Sequence, residues 1–321
     1  MLRFIIGGYF LMNFEPSYMK LYENGKLKEI KEVLYKKLEK CDLCPRKCNI
    51  NRYKNNGLCG ANDKIKISEF VLYPGEEPPL TGNTGAGGIF FSNCSMNCIY
   101  CQNFKFSQEG LGKNITVEDL KNIYLDIQNN KKAVNLDLIT ATAYLPFIID
   151  ALILAIEEGF RLPIVWNTSS YENVEIIELL RDIVDIYLPD IRYTSNIIAK
   201  RLSNVKNYQD SMQSTLREIY KQIGNDYIEE KGILKRGIIV RILVLPNYIN
   251  QAKEALKFLK YEISENIRIS LMDQYVPVYK AKNSEKLGRF LKKNEYEEVV
   301  QTMIDLDLKN GWTQHHKLLE D

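Results

Sequence analysis

Residues 88–101 read Gly-Ile-Phe-Phe-Ser-Asn-Cys-Ser-Met-Asn-Cys-Ile-Tyr-Cys. The first five are apolar and aromatic enough for a strand covered on both faces. Three cysteines follow at once, Cys94, Cys98 and Cys101, spaced C-x3-C-x2-C. Thiolates are the preferred ligands of iron–sulfur clusters. Three of them hold three irons of a cubane and leave the fourth iron open to chemistry. The competing reading is a three-thiolate zinc site completed by a histidine. The chain has two histidines, His315 and His316, both at its far end, and they are read as surface residues.

Outward from this stretch the chain alternates. Runs rich in Ile, Val and Leu at 136–142, 162–167, 183–189, 237–245 and 267–272 predict five further strands. Helical periodicity fills the gaps at 116–130, 146–158, 171–182, 208–223 and 249–261, with a closing pair of helices around 295–309. Six β/α units in succession imply a parallel, right-handed sheet. Polar residues fall at the C-terminal end of strand after strand. The cysteine group follows the first, Thr140 and Thr142 the second, and Asn167, Thr168 and Ser169 the third. Asp190 and Arg192 follow the fourth, Asn247 the fifth, and Asp273 with Gln274 the sixth. A ring of functional groups on one rim is how a barrel-type site is built, whereas a doubly wound sheet gathers them at one switch point. The predicted fold is α/β, a partial (β/α)6 TIM-type barrel over residues 81–321.

Residues 1–80 form a Cys-rich N-terminal extension. Leu27, Ile30, Val33, Leu34 and Leu38 predict helix over 12–40. Cys41, Cys44, Cys48 and Cys59 follow in a segment poor in apolar residues, for which a metal is the natural staple. Four thiolates close a tetrahedral zinc site or ligate every iron of an auxiliary iron–sulfur cluster, and spacing leaves both open. This second site is expected to be structural or electron-relaying and to make no direct contact with what binds the open cluster. Arg46, Lys47 and Arg52 are available to offset its charge. Gly82, Gly85, Gly87 and Gly88 precede a strand rather than follow one, which excludes a phosphate loop. They are expected to let backbone pass close to the cluster.

Lys plus Arg (43) nearly balances Asp plus Glu (41) in this 321-residue chain, for a net charge of +2. That balance argues against a dedicated nucleic-acid binder. Seven cysteines in ligand-like spacing speak for a reducing cytoplasm rather than a disulfide framework. The opening stretch MLRFIIGGYFLM is too short to span a bilayer and carries no small-residue cleavage signal, so no membrane association is expected; Met12 is an alternative start.

Cys94-Ser95-Met96-Asn97-Cys98-Ile99-Tyr100-Cys101 resembles the C-x3-C-x-aromatic-C motif of the radical S-adenosylmethionine (SAM) superfamily, with Tyr100 in the aromatic place and a strand directly before it. Further segments resemble the PflX-type homologues of pyruvate formate-lyase activating enzyme. These are Cys41-Asp42-Leu43-Cys44-Pro45-Arg46-Lys47-Cys48, Gly57-Leu58-Cys59-Gly60, residues 88–92, Cys101-Gln102-Asn103, residues 185–190 and Leu243-Val244-Leu245-Pro246. The resemblance runs from Lys36 to Trp312.

It implies an open [4Fe–4S] cluster on Cys94, Cys98 and Cys101 that binds SAM and cleaves it to a 5′-deoxyadenosyl radical for hydrogen abstraction. The implied substrate is a glycyl-radical protein, and the implied electron source an external flavodoxin- or ferredoxin-like donor. Carried over residue by residue, Tyr100 would pack against the adenine side. Asn167 and Ser169 would offer polar groups to SAM, and Arg241 would meet the methionine carboxylate. Asp190 and Arg192 form D-x-R where activating enzymes have D-x-K, and Gln274 stands where they carry a histidine. One departure is clear: Thr140-Ala141-Thr142-Ala143 replaces the G-G-E that contacts the SAM amino group. The Thr142 hydroxyl can accept that hydrogen bond, but the negative charge is missing. Two other functions compete, namely radical SAM modification of a small metabolite or nucleoside, and a non-catalytic iron–sulfur or zinc electron-transfer protein. The row of polar strand ends counts against the second.

Overall fold

The computed structural model describes residues 14–314. The apolar opening stretch and His315 and His316 lie outside the described residues. A ten-stranded sheet is built from β1 Ile65–Tyr73, β2 Ala86–Phe91, β3 Lys113–Ile115, β4 Leu136–Ile139, β5 Ile164–Thr168, β6 Ile186–Pro189, β7 Ile228–Glu230, β8 Ile233–Leu243, β9 Arg268–Met272 and β10 Gly311–Thr313. Between them run α1 Tyr18–Glu23, α2 Lys26–Lys36, α3 Pro78–Thr81, α4 Phe104–Ser107, α5 Val117–Asn129, α6 Leu145–Glu157, α7 Val174–Leu179, α8 Asn196–Ser203, α9 Tyr208–Ile223, α10 Ile249–Phe258 and α11 Lys293–Asp305.

The strand order is β10-β9-β8-β6-β5-β4-β2-β1-β3, with β7 on β8. From β2 to β10 every neighbour on this path is parallel. Each strand lies beside its predecessor, so the order never reverses and no switch point exists. Right-handed crossovers then place the helices on one face, and the sheet curls into a partial TIM-type barrel. All six predicted strands are present.

Features that differ from the sequence reading include β7, antiparallel to β8, and four others. β10 adds a seventh parallel strand after a single helix, α11, where a pair of helices was expected. β1 and β3 form an antiparallel edge. The N-terminal helix is broken at Gly25, whose φ of 76° is left-handed. Finally α8 stands in a stretch read as loop, opened by Ser195, whose hydroxyl accepts from the Ile198 amide.

Period-two alternation sorts each strand into layers. Val165, Ile186, Leu188, Leu234 and Ile239 pack around Leu80 of α3, a fully buried apolar layer. The turn-rich connector at 74–88 is therefore the plug of the barrel base. Two residues onward on the same strand faces stand Asn167, Asp190 and Arg241. On the outer side, α5 and α6 pack with α1 and α2 in one continuous core that includes Tyr18, Leu27, Leu34, Tyr124, Ile127 and Leu152. β1, which precedes residue 81, pairs with β2 along most of its length.

Candidate functional site

Above the apolar layer lies a cavity of about 430 Å3. Its first wall is the loop after β2. Asn93, at a φ of 69°, turns the chain over the rim, and its amide donates to Phe106 O at 2.8 Å. The loop is then held by the last turn of α8: Asn97 N–H donates to Ser203 O at 3.0 Å and Ile99 N–H to Leu202 O at 2.9 Å. Helix-end carbonyls need such donors. Each cysteine sulfur has a polar neighbour: the Met96 amide at 3.4 Å from Cys94 Sγ, the Ser203 hydroxyl at 2.9 Å from Cys98 Sγ, and the Ser107 hydroxyl at 3.1 Å from Cys101 Sγ. Donors beside sulfur stabilise thiolates and tune a bound metal centre. Burial, with the Cys98 charge beside it, pushes the Cys94 thiol up to about 12. Thiolates here call for a cationic partner, and three sulfurs from one loop are the donor set of an open iron–sulfur cluster.

The second wall is a charge network at the ends of β5, β6 and β8. Arg241 donates from Nε to Asp190 Oδ1 at 2.7 Å, from Nη1 to Glu76 Oε2 at 3.0 Å and from Nη2 to Asn167 Oδ1 at 2.6 Å. Arg192 Nη2 donates to Asp190 Oδ2 at 2.7 Å, so Asp190 is clamped between two guanidiniums. Asn167 also donates from Nδ2 to Asp137 Oδ2 at 3.4 Å. Burial raises the Asp137 carboxyl to about 7 although Arg241 pulls it down. Arg241, expected to meet the methionine carboxylate, has Asp190 and Glu76 as its anionic partners within the protein. Arg192 is the arginine with a spare donor, since its buried Nε has no hydrogen-bond partner.

The third wall contains a residue that sequence reasoning missed. Glu172, 3% exposed, accepts from the Thr142 hydroxyl at 2.7 Å and the Thr168 hydroxyl at 2.6 Å, both through Oε1. Its Oε2 is buried without a partner; the Trp166 indole N–H faces the same carboxyl group without closing a bond. Burial pushes this carboxyl up to about 7, and the two threonine hydroxyls hold it back. The negative charge missing from Thr140–Ala143 is thus delivered to Thr142 from the loop after β5. Only its position five residues past Asn167 could have drawn attention to it.

Cys94, Cys98, Cys101, Thr142, Asn167, Ser169, Asp190, Arg192 and Arg241 all line this one cavity. Tyr100 does not: it is buried behind the wall, its hydroxyl accepting from Tyr193 at 2.8 Å and its ring against Tyr275. Gln274 is exposed, and its carbonyl accepts from Gln102 Nε2 at 2.9 Å. Cys41, Cys44 and Cys59 of the second cysteine group line the same cavity, and Cys48 lies off the wall. Among the glycines Gly88 stands against Phe90 and Ile139 of the cavity lining, whereas Gly82 and Gly87 differ from expectation. A Cβ on Gly87 would stand 2.2 Å from Ile127 Cγ2 and one on Gly82 2.3 Å from Ile233 Cδ1. They allow close packing of β2 and the plug, away from the cysteines.

Glu172 and Arg192, each with one buried and unpartnered polar atom, line the same cavity as the three cysteines, and such a lining fits a cluster with a zwitterionic, cationic ligand such as SAM. Two uncharacterized proteins of Methanocaldococcus jannaschii are similar to this chain. One is 29% identical over 288 residues, 87% of this chain and 79% of that protein. The other is 26% identical over 247 residues, 70% of this chain and 67% of that protein. Crystal structures of Streptococcus suis SuiB bound to S-adenosylmethionine and to the precursor peptide SuiA both give a TM-score of 0.47 at 11% identity. They cover 69% and 70% of this chain, which spans 48% and 47% of theirs. The family model of the radical SAM superfamily matches residues 89–259, over half of the chain. Since that segment carries the three-cysteine loop and the strand ends that face it, the chain belongs to the radical SAM superfamily.

Proposed function

We propose that the protein binds SAM against an open [4Fe–4S] cluster on Cys94, Cys98 and Cys101 and abstracts hydrogen from a glycyl-radical protein. The observation that carries the SAM-binding part is the convergence on one cavity of three thiols with Glu172 and Arg192, a carboxylate and a guanidinium that each keep an unpartnered polar atom. The bound cluster and SAM supply one-electron cleavage of a sulfonium bond and, from it, hydrogen abstraction.

The residues of the chain do the rest. Glu172, held by Thr142 and Thr168, offers its Oε2 to the ammonium group. Arg192, oriented by Asp190, offers Nε to the carboxylate. Arg241 fixes Asp190 and Asn167 rather than the ligand. Phe90, Met96, Phe106 and Ile139 add apolar side chains to the lining, which favours the exclusion of water. The glycyl-radical substrate rests on the PflX-type resemblance, as does an external flavodoxin- or ferredoxin-like electron donor. The cytoplasm is the proposed location. Among the described residues no helix is long and apolar enough to cross a membrane.

The test is anaerobic reconstitution, reduction with dithionite and assay of 5′-deoxyadenosine. Wild-type protein should release it from SAM, and Cys98→Ala should not. A fully loaded cluster that leaves SAM intact overturns the reading. Incubation with a glycyl-radical protein should then give a persistent backbone radical by electron paramagnetic resonance (EPR). SAM cleavage without that signal, but with turnover of a small metabolite or nucleoside, would reassign the substrate.

A further inference from the structure

We propose that Cys41, Cys44, Cys48 and Cys59 hold a second, iron–sulfur centre that forms one wall of the same cavity, so that a molecule bound at the open cluster also touches this centre. The four residues converge by local folding. Cys41 N–H donates to Ile50 O at 3.0 Å, Asn49 N–H to Cys41 O at 2.9 Å and Lys47 N–H to Cys44 O at 2.9 Å. Lys47 and Asn49 are left-handed, with φ of 39° and 56°, which folds Cys48 back until its sulfur is 3.7 Å from Cys41 O. Cys59 arrives from the other side. A Cβ on Gly57 would stand 3.4 Å from Cys59 Sγ and 3.9 Å from Cys48 Sγ, so glycine leaves open the space those sulfurs share. The amides of Leu43 and Arg46 face the sulfurs of Cys41 and Cys44, two residues on, as Met96 faces Cys94. Amide donors so placed stabilise metal-bound thiolates.

An independent observation requires an anion here. Arg52 is 1% exposed, its guanidinium donates to the carbonyls of Ala143 and Asn62, and its Nε has no partner. Both acceptors are neutral. A buried cation without a counter-charge costs several kcal/mol. Protonated thiols would leave it bare, whereas four thiolates on a metal centre give it a negative neighbour. The choice of iron–sulfur follows from placement. Cys41, Cys44 and Cys59 border the ligand space of the open cluster, where a redox-active centre can pass an electron and a closed zinc site cannot.

The two cysteine loops are also docked on each other. Arg46 donates from Nε to Ser95 O, and from Nη2 to Asn204 O at 3.2 Å. A Cβ on Gly60 would stand 2.8 Å from Asn93 Oδ1, and Asn173 Nδ2 donates to Asp42 O. With Cys41, Cys44 and Cys59 on the cavity, the second centre is a boundary of the ligand space.

Metal analysis of anaerobically purified wild-type protein should find about eight irons and no zinc. The Cys94→Ala, Cys98→Ala, Cys101→Ala triple variant should keep about four irons. In that variant Arg52→Gln should move the midpoint potential of the remaining cluster to more negative values, and Arg52→Lys should move it less. In wild type the two reduced clusters should broaden each other's EPR signals. One zinc beside four irons overturns the iron–sulfur assignment, and four irons with no other metal overturns the second centre. An EPR spectrum equal to the sum of the separate clusters overturns the shared wall. The wild-type count needs no variant to fold. Eight irons without SAM cleavage would sink the radical reading and leave this one standing.

Discussion

At the residue scale the site is governed by which charged groups are already satisfied. Asp190 and Arg241 are each bound by the protein itself, and Arg241 has three protein partners. They act on a ligand through the geometry they impose. Glu172 differs, because one oxygen is saturated and the other free. Glu172→Gln keeps the shape and both threonine hydroxyl donors while removing the charge. A hydrogen bond to a charged group contributes about 1.5–3 kcal/mol, so SAM should bind about ten- to a hundredfold more weakly. Iron content and the cluster absorption should be unchanged. Equilibrium titration of the reconstituted protein reads both, and an unaltered dissociation constant excludes Glu172 from the ligand.

At the element scale the plug and the N-terminal helices decide whether the rim keeps its shape. Leu80 of α3 is fully buried among strand residues of the barrel base. Leu80→Ala should cost about 2–5 kcal/mol, transfer and cavity terms together; urea unfolding of the metal-free protein checks it. Asp185, between α7 and β6, accepts from the Ser17 amide at 3.0 Å and the Ile164 amide at 3.3 Å, joining α1 to β5. Burial raises its carboxyl from 3.8 to about 6, although those amides pull it down. The folded protein therefore holds a proton that the unfolded chain has released. Its contribution to stability falls as pH rises from 3.8 to about 6 and is level above that. Glu172 and Asp137, raised to about 7, continue the fall to that pH. Asp185→Asn should flatten the lower part of the slope in urea unfolding across this range. An unchanged slope would show that Asp185 titrates alike in both states.

At the scale of the whole molecule one core joins the extension to the barrel, while the proposed second centre would staple residues 41–64. Chelating the metal should expose the amides of 41–64 and 94–101 to hydrogen exchange and leave β4, β5 and β6 protected, since local opening follows local contact density. Equal loss across the sheet would mean that metal and barrel fold as one unit. The strands, their parallel order and the cysteine spacings were legible because each is a local property. Strand and helix differ in residue period, and a cluster loop places its ligands within eight residues. The plug at Leu80 was not legible, because PPLT looks like any turn-rich connector. Nor was α8, the helix that holds the cluster loop. By itself the sequence determined a parallel α/β barrel and an open three-thiolate site on its rim. Only the tertiary structure brought Glu172 to Thr142, left Arg52 without an acid, and set both cysteine groups on one cavity. Those meetings depend on how strands curve and in what register they lie, and no short stretch of sequence carries that information.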